Sequence, residues 1–205
     1  MQLSVTTFLS VDGVYQCPGG PTEDTSEGFE RGGWLVPHFD EETGAFMNEV
    51  FDKVDAFLLG RHTYDIFAAS WPKMADADDP VGGKLNRLPK YVVSTTLDDD
   101  PPWGPTIVLR GDVKTEVEAL KATPGRELQV HGSGLLVRTL LEHDLVDELR
   151  LLVFPVIVGQ GRRLFPDDGV ATGLRLAESR TTPSGTAIHV YRPTGRPEFG
   201  EVEIT

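Results

Sequence analysis

The segment DAFLLGRHTYDIF, residues 55–67, combines a strand pattern with groups that suit a negatively charged ligand. Its apolar first half runs into Gly60, and Arg61, His62 and Thr63 follow. This pattern is typical of a buried strand that ends in a tight turn and opens a helix. Unpaired N–H groups at the helix start, with a fixed cation beside them, favour a phosphate group. Alternatively, Gly60 only ends a strand, Thr63 caps a helix and Arg61 is solvated.

Two further strand ends carry small polar residues. Residues 94–96, Ser-Thr-Thr, follow an apolar run, and residues 132–134, Gly-Ser-Gly, lie between another strand pattern and an apolar helix pattern. Ligands of open α/β sheets bind at the carboxyl ends of the strands. A diphosphate could therefore lie on the 132–134 turn while Arg61 holds a more distant phosphate. The turn lacks the six-residue dinucleotide fingerprint and its acidic ribose-binding residue, which disfavours a standard Rossmann site.

The elements that must position these turns alternate along the chain. Strands are predicted at 2–9, 55–59, 90–94, 106–109, 127–130 and 147–154, with a hairpin of 174–181 and 187–192. Helices are predicted at 41–53, with Asp40 as N-cap, from 61 as a short helix, and at 113–121 and 135–142. A long loop reaches to about Pro37, and such loops are often functional. The pattern predicts an α/β fold: a mostly parallel sheet with helices on both faces and an antiparallel edge.

Length and charge narrow the class of protein. A chain of 205 residues most simply forms one domain with a sizeable core. A net charge of −13 argues against nucleic acid or an anionic membrane as a partner, but not against a nucleotide cofactor. The N-terminus does not match a signal peptide and no apolar run could span a bilayer, so a cytoplasmic location is expected. The single cysteine, Cys17, excludes an intramolecular disulfide, and the acidic segments 76–79 and 98–100 lack metal-ligand spacing.

Five short motifs occur in the order seen in the dihydrofolate reductase superfamily. They are SVDGV (10–14), WLVP (34–37), LGRHTY (59–64), VSTT (93–96) and VHGSG (130–134). The run from 128 to 165, with LVDEL and PVIVGQG, resembles more closely the reductase domain of riboflavin biosynthesis. The resemblance covers about residues 2–192.

The resemblance implies an NADPH-dependent reductase with a three-layer α/β/α architecture and an eight-stranded, largely parallel sheet. It implies a domain of residues 1–193, followed by a polar tail, 194–205. It implies that Gly60, Arg61, His62 and Thr63 bind the adenosine-side phosphates, with Arg61 and Thr95 at the 2′-phosphate and Ser94 as a further cofactor-binding residue. Gly132, Ser133, Gly134 and Leu135 would bind the diphosphate, and Val11 and Asp12 would lie beside the nicotinamide. A guanidinium matches phosphate in a bidentate manner, which fits the role given to Arg61.

The chain departs from the family pattern at two places. Dihydrofolate reductases have a Gly-Gly pair joined by a cis peptide where this chain has Gly132-Ser133. Their acidic residue closely follows the Trp–Pro element, whereas here His38 and Phe39 separate Asp40 from Pro37. Asp40 could be that carboxylate shifted along the chain, or the N-cap of the next helix. Asp40 and Asp12 are the catalytic candidates, and Asp12 could equally be a turn residue of an Asp-Gly pair.

Histidines and aromatic residues are further candidates around the implied substrate. His38 and His131 could donate a proton, or be ordinary polar residues at loop and strand ends. Trp34 and Phe39 could stack on a planar heterocycle as substrate-binding residues, or close the loop over the core.

The implied reaction transfers hydride to a C=N or C=O carbon of a small polar heterocycle. In the riboflavin pathway this would be a ribosylaminouracil phosphate, and Arg162, Arg163 and Lys84 are the candidates for its phosphate. The alternatives are dihydrofolate reduction and a non-catalytic nucleotide-binding dimer. A homodimer is expected, with the apolar strand 149–157 as a possible surface.

Overall fold

The computed structural model describes residues 1–74, 76 and 78–202. Its eight strands form one sheet in the order β4-β3-β2-β5-β1-β6-β8-β7. The strands are β1 (Gln2–Ser10), β2 (Val54–Gly60), β3 (Lys90–Val93), β4 (Thr106–Leu109), β5 (Glu127–His131), β6 (Glu148–Phe154), β7 (Leu174–Thr181) and β8 (Ala187–Pro193). The first six run parallel, while β8 is antiparallel to β6 and β7 antiparallel to β8. The predicted sheet, with its antiparallel edge, is confirmed.

Five helices cover the two faces of the sheet: α1 (Glu41–Phe51), α2 (Arg61–Met74), α3 (Gly82–Arg87), α4 (Val113–Ala122) and α5 (Gly134–Glu142). Successive side chains of a strand point to opposite faces of the sheet, so Phe57 and Leu59 of β2 pack in a core shared with α1, α2 and α3. The same strand sends Leu58 into a second core, shared with α4 and α5. The predicted three-layer architecture follows from these two cores.

The sequence prediction was wrong about two helices. The helix from Arg61 is not short, because it continues through Trp71 and Pro72 to Met74. Pro72 has no N–H to donate to the preceding turn, and the helix ends two residues after it. The sequence analysis did not predict α3, whose first residues are two glycines. Tertiary packing overrides this weak propensity, since both glycines and Leu85 are buried.

Strand β6 cannot provide the dimer surface expected for 149–157. It lies between β1 and β8, and six of its seven residues are buried. The expected homodimer stays a prediction without that surface. The start of the predicted tail is also tied down: Thr194 N–H donates to the Gly173 carbonyl at 2.8 Å, and Arg196 pairs with Asp144 at 2.9 Å.

No helix among the described residues is both long and apolar enough to cross a membrane. Residues 203–205 of the predicted tail and residue 77 of the acidic loop lie outside the described residues.

Candidate functional site

The carboxyl ends of β2, β3 and β5 meet at one edge of the sheet. Gly60 is in register with Val93, which places the Ser94 turn beside the start of α2. Strand β5 pairs with β2 on the other side and leads into the Gly132 turn. The three turns singled out in the sequence are therefore neighbours, as the parallel topology requires.

Hydrogen bonds lock the Gly60 and Gly132 turns together. The Gly60 N–H donates to Ser133 Oγ at 3.1 Å, and the Ser133 N–H donates to Thr63 Oγ1 at 3.1 Å. Ser133 Oγ in turn donates to the His131 carbonyl at 3.2 Å. The N-termini of α2 and α5 are thereby fixed side by side, so their positive dipole ends lie at the same edge of the sheet.

The backbone of this joint is left-handed at two successive residues. Gly132 has φ +58° and Ser133 has φ +51°. Within the described chain the cis peptide bond is Gly104–Pro105, so Gly132–Ser133 is trans. Ser133 makes no capping bond to α5, since its hydroxyl is used on Gly60 and His131. The first-turn N–H groups of α5, including those of Gly134 and Leu135, have no preceding helical carbonyl and are suited to an anion.

A second cationic position lies where β2 and β3 end. Arg61 donates from Nε to both Asp65 oxygens, at 2.8 and 2.7 Å, and its side chain is 38% exposed. Thr95 is exposed, while the Ser94 hydroxyl accepts from the Thr96 and Leu97 N–H groups and shapes the turn. Because Asp65 binds only the Nε of Arg61, the terminal guanidinium nitrogens remain for a ligand phosphate.

The sequence analysis missed Arg110 at this position. It follows β4, which pairs with β3, and it donates to the carbonyls of Ser94 and Leu97 and to Asp99. Arg110 therefore holds the Ser94 turn in place. The strand order β4-β3-β2 could have indicated this residue, but a single sequence does not give that order.

The long loop after β1 contacts the first turns of both α2 and α5. Asp24, 6% exposed, accepts a bond from His62 Nε2 at 2.9 Å and pairs with Arg162. Tyr15 lies against the first residue of α5, since a Cβ on Gly134 would overlap its ring. Burial, offset in part by Arg162, raises the pKa of Tyr15. Neither Asp24 nor Tyr15 was identified from the sequence, because loop residues show no periodicity.

At the end of β1, Asp12 holds the chain that follows β6. Its carboxylate accepts from Ser10 Oγ at 2.7 Å and from the N–H groups of Val158 and Gly159 at 3.0 and 2.8 Å. Partial burial would raise its pKa, but these bonds outweigh burial and lower it to about 2. Asp12 is therefore ionised at neutral pH. Val11, predicted to border the nicotinamide, is 60% exposed.

Asp40 is the N-cap of α1, as predicted. Its Oδ1 accepts from the Thr43 N–H and hydroxyl, at 2.9 and 2.7 Å, and its Oδ2 accepts from the Ser184 N–H at 2.9 Å. Desolvation acts to raise the pKa of Asp40, but the bonds from Thr43 and Ser184 hold it well below its usual range. The catalytic roles of Asp12 and Asp40 stay predictions, and the geometry gives each carboxylate a structural role.

The aromatic candidates differ in their surroundings. Trp34 is 8% exposed, and its indole N–H donates to the Gln16 carbonyl at 2.8 Å. Phe39 is 43% exposed and lies edge-on to Phe8, with ring centroids 6.5 Å apart. Phe39 therefore offers more surface for stacking on a ligand than Trp34 does, and Trp34 closes the loop over the core.

The two histidine candidates also differ. His131 is fully enclosed next to Phe51, and burial, followed by the nearby charge of Arg150, lowers its pKa to about 3. It is therefore neutral at neutral pH, with Nε2 3.1 Å from Gln129 Oε1. His38 is half-buried, and its carbonyl accepts a bond from the Ser184 hydroxyl.

The three basic residues proposed for a substrate phosphate are not together. Arg163 lies at the site, where its Nε donates to the Asp12 carbonyl at 2.8 Å. Lys84 pairs with Asp52, just before β2 begins, and so lies at the opposite edge of the sheet. The candidacy of Lys84 is wrong, because parallel strands separate the two edges by their full length. A further cation, Arg31, which the sequence analysis missed, donates to the Val158 carbonyl.

The fold defines an α/β protein of the dihydrofolate-reductase-like type, with the Gly60 and Gly132 turns paired at the carboxyl edge of its sheet. The sequence model of the RibD C-terminal domain family matches residues 2–188. The chain belongs to that family.

Two proteins of Bacillus subtilis (strain 168) are similar in sequence. The uncharacterized protein YyaP is 30% identical over 178 residues, which cover 83% of this chain and 92% of that protein. The uncharacterized protein YwjB is 25% identical over 159 residues, 78% of this chain and 85% of that protein. Both relatives match over most of their own length.

Solved structures share the fold. A candidate riboflavin biosynthesis protein from Shewanella sp. PV-4 superposes with a TM-score of 0.71 and 22% identity over 95% of this chain and 99% of its own. A pyrimidine reductase-like protein from Corynebacterium diphtheriae gives 0.63, at 17% identity over 94% and 91%. The deaminase/5-amino-6-(5-phosphoribosylamino)uracil reductase of Thermotoga maritima gives 0.61, at 12% identity over 94% of this chain and 56% of that protein. At these identities the likeness shows the fold.

Proposed function

We propose that the protein is an NADPH-dependent reductase acting on a small polar heterocycle. The observation that carries this proposal is the hydrogen-bonded joint between the Gly60 and Gly132 turns, which brings two helix N-termini to one groove. Family membership supports the reductase class, since the RibD C-terminal domain model spans residues 2–188.

The residues of the groove fit a phosphorylated dinucleotide. A Cβ built on Gly132 would lie 3.7 Å from the Thr63 side chain, so this turn packs directly against the first turn of α2. Gly134 and Leu135 would hold the diphosphate through backbone N–H groups, and Arg61 with Thr95 would hold the 2′-phosphate. Bound there, NADPH supplies the hydride.

The substrate would lie beyond the end of β1, next to Val11 and Phe39. Both side chains are exposed and apolar, which suits a planar ring. Arg163, half-exposed beside Asp12, is the candidate for a substrate phosphate. We therefore propose a substrate of the ribosylaminouracil phosphate type, reduced at a C=N or C=O carbon, as the reductase named in the Thermotoga maritima structure suggests.

Dihydrofolate reduction is less favoured by the geometry. That reaction would need Asp40 to face a pterin, whereas both Asp40 oxygens accept bonds from Thr43 and Ser184. A non-catalytic nucleotide-binding protein would show cofactor binding without turnover. An absorbance assay with aminouracil and dihydrofolate substrates separates these three possibilities.

Replacing Arg61 by alanine tests the cofactor assignment. Charge-assisted hydrogen bonds contribute about 1.5–3 kcal/mol, so NADPH affinity should fall roughly 10- to 150-fold. NADH affinity should change little, because NADH lacks the 2′-phosphate. Fluorescence titration with both cofactors measures the two effects.

The matched control is Asp65→Asn, which removes the partner of Arg61 but keeps the guanidinium. Its NADPH affinity should be equal to or higher than that of the original protein. Equal losses of NADPH and NADH in Arg61→Ala would contradict the 2′-phosphate role. No saturable NADPH binding to the unaltered protein would sink the reductase proposal.

A further inference from the structure

The carboxylate of Asp24 lies in an unusual place for a loop residue. It is 6% exposed and is held by four groups: Ser26 N–H at 3.1 Å, Ser26 Oγ at 2.6 Å, His62 Nε2 at 2.9 Å and the guanidinium of Arg162. Burial acts to raise its pKa, but the bonds from Ser26 and His62 and the charge of Arg162 lower it. An ionised carboxylate therefore stands against the first turn of α2.

Arg162 extends this contact across the groove. Its Nη1 donates to Ser26 Oγ at 2.8 Å and reaches Glu27 at 3.1 Å, and its N–H donates to Gln16 Oε1 at 3.0 Å. The Tyr15 N–H donates to the Arg162 carbonyl at 3.0 Å, and the Tyr15 ring lies on Gly134 at the start of α5. Asp24, Arg162 and Tyr15 thus form a chain of contacts from the first turn of α2 to the first residue of α5.

We propose that the Asp24 carboxylate occupies the position of a ligand phosphate, and that His62 and Arg162 pass from Asp24 to that phosphate when the ligand binds. The proposal rests on the assignment of this groove as the cofactor site. His62 belongs to the turn assigned to phosphate, and its side chain is 59% exposed, so it can reach a ligand once Asp24 moves away. Arg162 then becomes a phosphate ligand instead of a substrate-binding residue.

The contact of Asp24 with His62 and Arg162 competes with binding of the ligand phosphate. While Asp24 is bound to His62 and Arg162, the ligand phosphate cannot bind there. The apparent affinity for the ligand is therefore the intrinsic affinity multiplied by the fraction of molecules in which Asp24 is released. Releasing the carboxylate exposes it to water, and the ligand phosphate takes over its partners His62 and Arg162. No atoms or electrons are exchanged in this step, which is a replacement of one anion by another.

Asp24→Asn tests the proposal, because it removes the charge and keeps the shape of the side chain. Inorganic pyrophosphate and NADPH are titrated separately, by calorimetry and by fluorescence. Both should bind more tightly to Asp24→Asn, by on the order of tenfold, since charge-assisted bonds no longer hold the loop closed. The matched control is Glu27→Gln, which removes a negative charge from the same loop. This charge is a partner of Arg162 and makes no contact with His62. The control variant should change either affinity by less than about twofold, as expected for an exposed ion pair.

A second variant covers the case in which Asp24→Asn does not fold. Ser26→Ala loses the 2.6 Å hydrogen bond that orients Asp24 and the 2.8 Å bond from Arg162 Nη1, and it keeps the direct contacts of His62 and Arg162 with Asp24. It should tighten pyrophosphate binding in the same direction, by a smaller factor. Unchanged or weaker pyrophosphate binding in a folded Asp24→Asn or Ser26→Ala would overturn the proposal, as would equal tightening in Glu27→Gln. Tighter pyrophosphate binding without any NADPH binding would support the inference and refute the proposed cofactor.

Discussion

Replacing Arg150 by methionine should strongly destabilise the protein at neutral pH. The Arg150 side chain is 2% exposed and lies between two carboxylates, Glu127 and Glu148, that are 8% and 12% exposed. Its terminal nitrogens donate to the two Glu127 oxygens at 2.8 and 3.0 Å, and its Nε and Nη2 donate to Glu148 Oε1 at 2.9 and 2.6 Å. Ser4 Oγ adds a longer contact at 3.3 Å.

The magnitude follows from what methionine would leave behind. Methionine fills much of the volume but donates no hydrogen bond, so Glu127 loses its ion-pair partner and Glu148 keeps only the longer contact with Arg192 at 3.8 Å. Removing one partner of a buried ion pair costs about 3–5 kcal/mol. For a domain of this size, that corresponds to a fall in Tm of ~6–20 °C.

The loss of stability in Arg150→Met should depend on pH in a definite direction. In the unaltered protein, burial acts to raise the pKa of Glu127 but the bonds from Arg150 lower it. Its contribution is therefore present above the pKa of the unfolded chain and is lost as the pH falls through the lowered folded value. In Arg150→Met the charge and hydrogen bonds of Arg150 are lost, and burial, the largest effect on Glu127, is opposed only by the bonds from Gln129 and Ser4, so the folded pKa of Glu127 rises. The variant should then regain stability on acidification, so its deficit narrows between about pH 7 and pH 5.

Urea unfolding at several pH values, followed by circular dichroism, measures both effects. The control is Arg138→Met, which removes the same side chain from a single 3.1 Å contact to the exposed Asp168. Its loss should be under about 1 kcal/mol, as for other surface pairs. A deficit in Arg150→Met no larger than that of the control, or one that grows on acidification, would refute the reasoning.

Three further outcomes are expected. Gly134→Ala should destabilise the protein by about 1–3 kcal/mol, because the new Cβ overlaps the Tyr15 ring; the loss should shrink in a Tyr15→Leu background, and an unchanged loss in a double-mutant unfolding cycle would contradict this contact. Ser133→Ala should be less stable than Ser133→Gly, because both lose the bond to Gly60 but only alanine keeps the left-handed strain of roughly 1–2 kcal/mol; thermal unfolding showing the reverse order would argue against that strain. Asp40→Asn should lower the Tm near neutral pH and lose this effect in strong acid, because the lowered pKa makes the Asp40 contribution present above the unfolded pKa and absent below the folded one; a loss of turnover at unchanged Tm would instead reveal a catalytic carboxylate.

Local patterns predicted most of the elements around the groove. The apolar run before Gly60 and the Asp40 cap are features of short segments, so a single sequence shows them directly. The same local reasoning missed α3, whose glycines are poor helix formers but are held by burial. It also misjudged Lys84, since nothing in a single sequence indicates at which edge of the sheet this residue lies.

The candidate site divides in the same way. The sequence identified Gly60, Thr63 and Ser133 as members of neighbouring turns, but not that Ser133 bonds to both of the others. The loop residues Asp24 and Tyr15 carried no signal, because a loop has no hydrophobic period that would reveal its direction.

The sequence by itself determined the strands, the starts of α1, α2, α4 and α5 and the order of the glycine turns, because propensity, capping and periodicity act over a few residues. Only the tertiary structure decided which groups meet. Asp24 and Arg162 are 138 positions apart, and Ser4 and Arg150 are 146 apart. Such contacts depend on strand order and loop path, and these are fixed by burial of the two cores and by pairing of buried charges. The neighbouring glycine turns are therefore anticipated by the sequence, while the contact of Asp24 with His62 and Arg162 is revealed by the fold.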